Sequence, residues 1–306
     1  MKCRLTTLKR VSMVCIAVVF SCFVLPDARA QTVIKLWPDG KAPGDNMELP
    51  AEGDTSKPGQ GLVAGKPVIR LGNVSVPEIH FYPAPADKAT DVCVVICPGG
   101  GHSILAWDLE GTEVAEWFNS IGVHAALLKY RVPARTKDPR YIAAVEDAQR
   151  ALSIVRTRAQ ELKVNPAKIG ILGFSAGGET AALATLLPER LYKSIDKTDE
   201  TTWKPNFSLL IYPAYLVNKE ASELLPHVKV EKDTPRMFLA HAADDPVRPE
   251  SSVRLWLELK KQNIPAELHV FSQGGHGYGL RQTEKVVTTW PQAAEKWLRA
   301  EGILPK

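Results

Sequence analysis

The chain has 306 residues, enough to bury a large core in one or two domains. It is 45% hydrophobic and 24% charged, a mix that excludes disordered, collagen-like and coiled-coil chains. The net charge of +4 hints at nucleic acid or anionic membrane, but it is unevenly spread. The first thirty residues hold Lys2, Arg4, Lys9, Arg10 and Arg29 against Asp27, which leaves 33 basic and 33 acidic residues in the remainder. A neutral remainder removes the electrostatic case for nucleic acid.

Residues 2–10 are basic, 11–25 are an apolar run, and Ala28-Arg29-Ala30 places small residues at −3 and −1. That order predicts a secretory signal peptide over 1–30, cleaved before Gln31. The apolar run is shorter than the roughly 20 residues of a transmembrane anchor and ends at Pro26-Asp27. The expected destination is periplasmic or extracellular, with no stable membrane anchor. A lipid-modified Cys22 is the competing reading. Three of the five cysteines fall in this segment. Cys93 and Cys97 share one predicted strand, where four residues span about 13 Å, beyond disulfide reach. No Cys/His spacing typical of a metal site occurs.

Residues 31–69 are rich in Gly, Pro and Asp and read as a loop-rich wrap over the domain, with a turn at Trp37-Pro38-Asp39-Gly40. A strand follows at 79–82. Strands at 92–97, 125–129, 169–172, 208–212, 237–240 and 267–271 then alternate with helical periods at 110–120, 141–162, 179–187 and 249–262. In the last helix Trp290, Ala293, Ala294, Trp297 and Leu298 recur at helical spacing. Strands alternating with helices imply an α/β fold, a mostly parallel central sheet with helices on both faces, occupying 70–306 as one domain. Asp147 and Arg150, three apart on the long helix, are expected to pair.

In such a sheet reactive groups belong at the carboxyl ends of strands, and three places qualify. Gly173-Phe174-Ser175-Ala176-Gly177 follows a buried strand and opens a helix, the setting of a nucleophile elbow. A dinucleotide fingerprint is rejected because Ser175 stands where a glycine must admit pyrophosphate. Gly65-Lys66 is followed by Pro67, so no phosphate loop exists there. Cys97-Pro98-Gly99-Gly100-Gly101-His102 follows an earlier strand. Its Gly100 or Gly101 N–H, with that of Ala176, would stabilise an oxyanion, each donor contributing about 3–4 kcal/mol.

Serine is a weak nucleophile near neutral pH and needs an imidazole base oriented by a carboxylate. Asp244 and Asp245 end one strand, and His276 lies in a glycine-rich loop after the next. The order Ser, Asp, His suits this fold. Asp244, first after the predicted strand end, is taken as the acid, with Asp245 capping the turn. His102, Trp107 and Tyr278 are candidates for lining a substrate pocket. The mechanism needs no cofactor, and the sequence sets no oligomeric state.

With these segments, and with Trp107-Asp108-Leu109-Glu110-Gly111, Lys129-Tyr130-Arg131 and Gly275-His276-Gly277-Tyr278-Gly279-Leu280, the chain resembles the α/β-hydrolase superfamily over about 70–303. Within it the chain looks like bacterial secreted, acetylxylan-esterase-like serine esterases. The resemblance implies hydrolysis of carboxylic esters, commonly O-acetyl groups on a polysaccharide such as xylan. Feruloyl or general short-chain esterase activity is the alternative. A prolyl-oligopeptidase-like peptidase ranks lower, because about forty residues before the first core strand cannot build its usual extra domain. A non-catalytic carbohydrate-binding protein ranks last.

Overall fold

A computed structural model describes residues 32–306, so the expected signal peptide and Cys22 lie outside the described residues. Eight strands form the central sheet: β1 (Thr32–Lys35), β2 (Glu78–Tyr82), β3 (Cys93–Cys97), β4 (His124–Lys129), β5 (Ile169–Phe174), β6 (Phe207–Ile211), β7 (Arg236–Ala242) and β8 (Ala266–Phe271). Their spatial order is β1-β2-β4-β3-β5-β6-β7-β8. Only β2 runs against the others, and the pairs from β4 to β8 are all parallel. Parallel neighbours need long crossovers, which the helices supply.

Alternation along β3 shows why the sheet is covered twice. Cys93, Val95 and Cys97 pack into one core with α2 (Ile142–Thr157), α3 (Ser175–Leu186) and α4 (Glu250–Lys261). Val94 and Ile96 face the other core, closed by α1 (Glu113–Ser120) and α5 (Trp290–Ala300). Both faces are therefore apolar, and the strand reads as a continuous hydrophobic run. In α5, Trp290, Ala294, Trp297 and Leu298 are all buried, as their spacing requires. Burying one such large side chain stabilises the fold by about 1.5–3 kcal/mol. The two thiols are inert core residues, with burial pushing both far above their ordinary pKa.

Two predicted helices are modified. The one at 110–120 begins as a π-turn (Asp108–Thr112) before α1, and the one at 141–162 breaks at Arg158, whose backbone (φ −95°, ψ 16°) leaves the helical basin. The segment 31–69 is also more than a wrap. It starts as the edge strand β1, and Gly53–Asp54 joins Arg70–Gly72 and Leu105–Ala106 in a second, three-stranded sheet.

The expected Asp147–Arg150 pair does not form. Asp147 is fully buried and accepts from Trp37 Nε1 at 2.8 Å, from the Arg131 backbone N–H at 2.9 Å and from Arg131 Nε at 3.0 Å. Arg150 turns instead to Asp196, Asp199 and the Leu36 carbonyl. One helix thereby anchors the N-terminal segment twice. Removing a single partner of a buried pair costs about 3–5 kcal/mol, because the remaining charge is left unpaired. Asp147→Ala should therefore lower the urea unfolding midpoint sharply, whereas a change on the exposed face of α4, such as Leu257→Ser, should leave it nearly unmoved.

Candidate active site

The strand β5 runs straight into α3 at Ser175, whose φ is +51°. A non-glycine residue rarely adopts that conformation, and here its neighbours enforce it. A Cβ at Gly173 would stand 2.0 Å from the Gly177 carbonyl oxygen. One at Gly177 would meet the Cys97 carbonyl oxygen at 2.1 Å. Glycine at both positions lets three stretches of backbone close on one another, and the serine is turned upward above the sheet.

Ser175 Oγ lies 2.8 Å from His276 Nε2, and His276 Nδ1 lies 2.7 Å from Asp245 Oδ2. The residue on the imidazole is Asp245 and not Asp244, which corrects the expectation. Strand β7 continues to Ala242, two residues past its predicted end, but Asp244 comes first after either end; the turn that follows, closed by the Asp245 N–H on the Ala242 carbonyl at 3.2 Å, aims the second aspartate at the imidazole. Asp244 is exposed, and its Oδ1 accepts the N–H groups of Gly274 and Gly275 at 2.8 and 2.7 Å. Those two bonds, that from Gly275 foremost, lower its pKa and brace the loop carrying His276.

Asp245 turns inward and is 5% exposed. Its Oδ1 accepts the Val247 N–H at 2.7 Å, so it caps the turn as well. Burial by itself would raise its pKa. The His241 ring 3.2 Å away, the His276 ring and the Val247 N–H outweigh that and hold the carboxyl well below the usual range. An ionised carboxylate cannot donate. His276 Nδ1 must then carry the ring proton, which leaves Nε2 to accept from the Ser175 hydroxyl.

Gly100 and Gly101 both have positive φ, and a Cβ on Gly100 would meet the Ile104 carbonyl oxygen at 2.1 Å. Among the described residues nothing accepts the N–H of either glycine. Ala176, second residue of α3, has no helical acceptor either. Glu110 holds this loop from below: buried, it accepts the Gly99 N–H at 2.7 Å and the Tyr212 hydroxyl at 2.8 Å. Tyr212 in turn accepts the Gly279 N–H at 3.0 Å, and its ring lies edge-on against His276 at 5.0 Å. Burial raises the pKa of Glu110, the opposite of Asp245.

A cleft of about 440 Å³ opens over Ser175 and His276. Val63, Val68, Ile104, Ala106, Leu109 and Val247 form its apolar wall, and Arg70 and Tyr215 contribute polar groups. Larger hollows occur elsewhere, but they hold none of these groups. None of the three expected pocket residues lines this cleft. His102 is 1% exposed and bonds Glu179 at 2.7 Å, tying the glycine loop to α3. Trp107 stacks edge-on with His80, and Tyr278 is buried against Tyr212. Large aromatic side chains beside a motif were absorbed as its supports. Tyr215 lies four residues past the end of β6, where the strand-end rule could have found it. Val63 and Val68 come from the irregular segment and Arg70 from a three-residue strand just after it, too short to carry a periodic signal.

The BD-FAE family model matches residues 79–209. An acetylxylan esterase of Xylanibacter ruminicola is 25% identical over 232 residues, covering 68% of this chain and 45% of that protein. The chain thus spans less than half the length of that relative. Among solved structures, an acetyl ester-xyloside bifunctional hydrolase from Caldicellulosiruptor lactoaceticus superposes with a TM-score of 0.67 at 29% identity, over 89% of this chain and 97% of that one. An alpha/beta hydrolase from a Medee basin deep-sea metagenome library, MGS-M1, gives 0.57 at 28% identity over 78% and 95%.

The two aspartates can be told apart by hydrolysis of p-nitrophenyl acetate. Asp245→Asn should cost about 10⁴-fold in kcat, since the imidazole loses the negative charge that fixes its tautomer and stabilises the imidazolium. Asp244→Asn should stay within about three-fold, as an exposed side chain that keeps an accepting oxygen.

Proposed function

We propose that this chain, an α/β hydrolase with a BD-FAE match, is an exported serine carboxylesterase that removes O-acetyl or other short acyl groups from a carbohydrate. The observation that carries this reading is the continuous hydrogen-bonded line from Ser175 through His276 to Asp245, beside two unengaged glycine N–H groups. Ser175 Oγ attacks the acyl carbon while His276 Nε2 takes its proton. The oxyanion forms facing the N–H of Ala176 and of Gly100 or Gly101, each such donor contributing about 3–4 kcal/mol. His276 passes the proton to the departing sugar hydroxyl, leaving an acyl-enzyme. Water, deprotonated by the same imidazole, then releases the acid and regenerates Ser175. Asp245 stays ionised throughout and stabilises the imidazolium.

The choice of acyl and alcohol rests on the cleft and on likeness. Small aliphatic side chains at Val63, Ile104 and Ala106 suit a short acyl chain, and Tyr215, 46% exposed, offers a ring face to a sugar. Two of the related proteins named above carry acetyl-ester hydrolysis in their names, one as an acetylxylan esterase and one as an acetyl ester-xyloside bifunctional hydrolase. Export follows from the basic, apolar and small-residue order of residues 1–30.

Three measurements test the reading. Fluorophosphonate should label the chain at Ser175, and label surviving Ser175→Ala would overturn the serine mechanism. Acetate release from acetylated xylan should exceed ferulate release from a feruloyl ester; cleavage of short aryl esters alone would withdraw the carbohydrate assignment. The pH profile supplies the third. The depressed pKa of Asp245 keeps it charged above its ordinary value of 3.8. The acid limb of kcat/KM for p-nitrophenyl acetate should therefore show no ionisation of Asp245 at the ordinary carboxylate value; a break there would count against the depressed carboxylate.

A further inference from the structure

Arg70 is the one cation among the residues lining the catalytic cleft. Its backbone is fixed in the small sheet, where it faces Ala106, donates its N–H to Asp54 Oδ1 at 3.0 Å and accepts from Thr55 at 2.9 Å. The side chain is anchored at a single point, Nη1 to the Val68 carbonyl at 3.1 Å. Among the described residues no carboxylate lies within 4 Å of the guanidinium, and its other N–H groups have no acceptor. Arginines elsewhere in the molecule are treated differently: Arg131, Arg150 and Arg281 each engage two or more carboxylates.

Two carboxylates lie nearby, and both are otherwise committed. Glu110 shares the cleft, but its two oxygens take the Gly99 N–H and the Tyr212 hydroxyl. Asp54 takes the backbone N–H groups of Ser56 and Arg70 on Oδ1, and although its charge interacts with that of Arg70, the exposed carboxylate makes no ion pair with the guanidinium. A planar guanidinium with open donors beside a reactive serine matches a carboxylate in geometry and charge. We infer that Arg70 selects esters whose sugar carries a free carboxylate, that is, acyl groups on a uronic acid or on a neighbour of one. The inference rests on the esterase reading and names the alcohol side of its substrate. Tyr215, on the same cleft, would take the ring face of that sugar while Arg70 takes the acid group.

The test compares kcat/KM for three matched acetate or acyl esters at low salt: an acetylated uronoside, the acetylated neutral glycoside, and a neutral glycoside esterified with succinate. The parent should prefer the uronoside to the neutral glycoside by about ten-fold, the worth of one charge-assisted contact. That ratio should fall towards one in Arg70→Gln and in about 0.5 M salt, and should be partly kept in Arg70→Lys. A parent ratio of one, or a ratio unchanged in Arg70→Gln, overturns the proposal. A preference for the succinyl ester alone would move the carboxylate to the acyl side and overturn the sugar assignment. Binding separates this from the reaction itself. Ser175→Ala should bind a uronic-acid disaccharide more tightly than its neutral counterpart by calorimetry, and Arg70→Gln added to that variant should remove the difference. If the parent hydrolyses none of the esters, the esterase reading fails, while the binding comparison still decides whether Arg70 recognises an acid group.

Discussion

The close approach of three backbones at the turn after β5 is the constraint on which the rest of the site depends. Ser175 sits at φ +51°, in a region that costs about 1–3 kcal/mol for a residue with a side chain. That conformation persists because β3, β5 and the first turn of α3 press on it from fixed positions, with only hydrogen atoms on Gly173 and Gly177 between them. The parallel sheet supplies the rigidity, since β3 and β5 are paired along their whole length and buried on both faces. The Ser175 hydroxyl is thus positioned by the scaffold itself.

Glu110 extends that control outward. A buried carboxyl is costly unless its oxygens are satisfied, and this one is satisfied by three loops acting together. It takes the Gly99 N–H directly and reaches the Gly279 N–H through the Tyr212 hydroxyl. The loop with the glycine N–H groups and the loop with the imidazole are therefore registered on one side chain. Burial raises the pKa of Glu110, and His276 lies close enough to oppose that rise in part, so this support is coupled to the imidazole beside Ser175.

Much of this was legible in the chain itself, and the failures have physical causes. Pattern located seven of the eight main strands, most of them continuously buried and Glu78–Tyr82 alternating, and Gly-x-Ser-x-Gly was readable because no other residue fits those two contacts. The aspartate on His276 was not readable. Asp244 and Asp245 are chemically identical, and only the geometry of the turn after β7 decides which one points inward. His102, Trp107 and Tyr278 sit beside motif residues in sequence, yet they fill space behind them, since large rings are most useful where they can be buried. β1 escaped notice because an edge strand of four residues leaves little pattern. The cleft wall was equally hidden, being built from extended backbone that is ordered by long-range bonds.

Those bonds have a consequence for how such a protein can change over generations. Arg281, just past the imidazole loop, holds the carbonyls of Lys66 and Pro67 and the carboxylates of Asp108 and Glu113. Val63, Val68 and Arg70 are thereby carried to the reactive serine on a strip that contributes nothing to the crossover units of the main sheet. Part of the cleft wall thus comes from a stretch separate from those that hold Ser175, Asp245 and His276, the rest being supplied by residues such as Ile104, Leu109, Tyr215 and Val247. Substitutions at Val63, Val68 or Arg70 would change side chains over Ser175 while leaving the contacts of Gly173 and Gly177 untouched. An enzyme divided in this way can be recruited to a new ester by drift in its least regular segment.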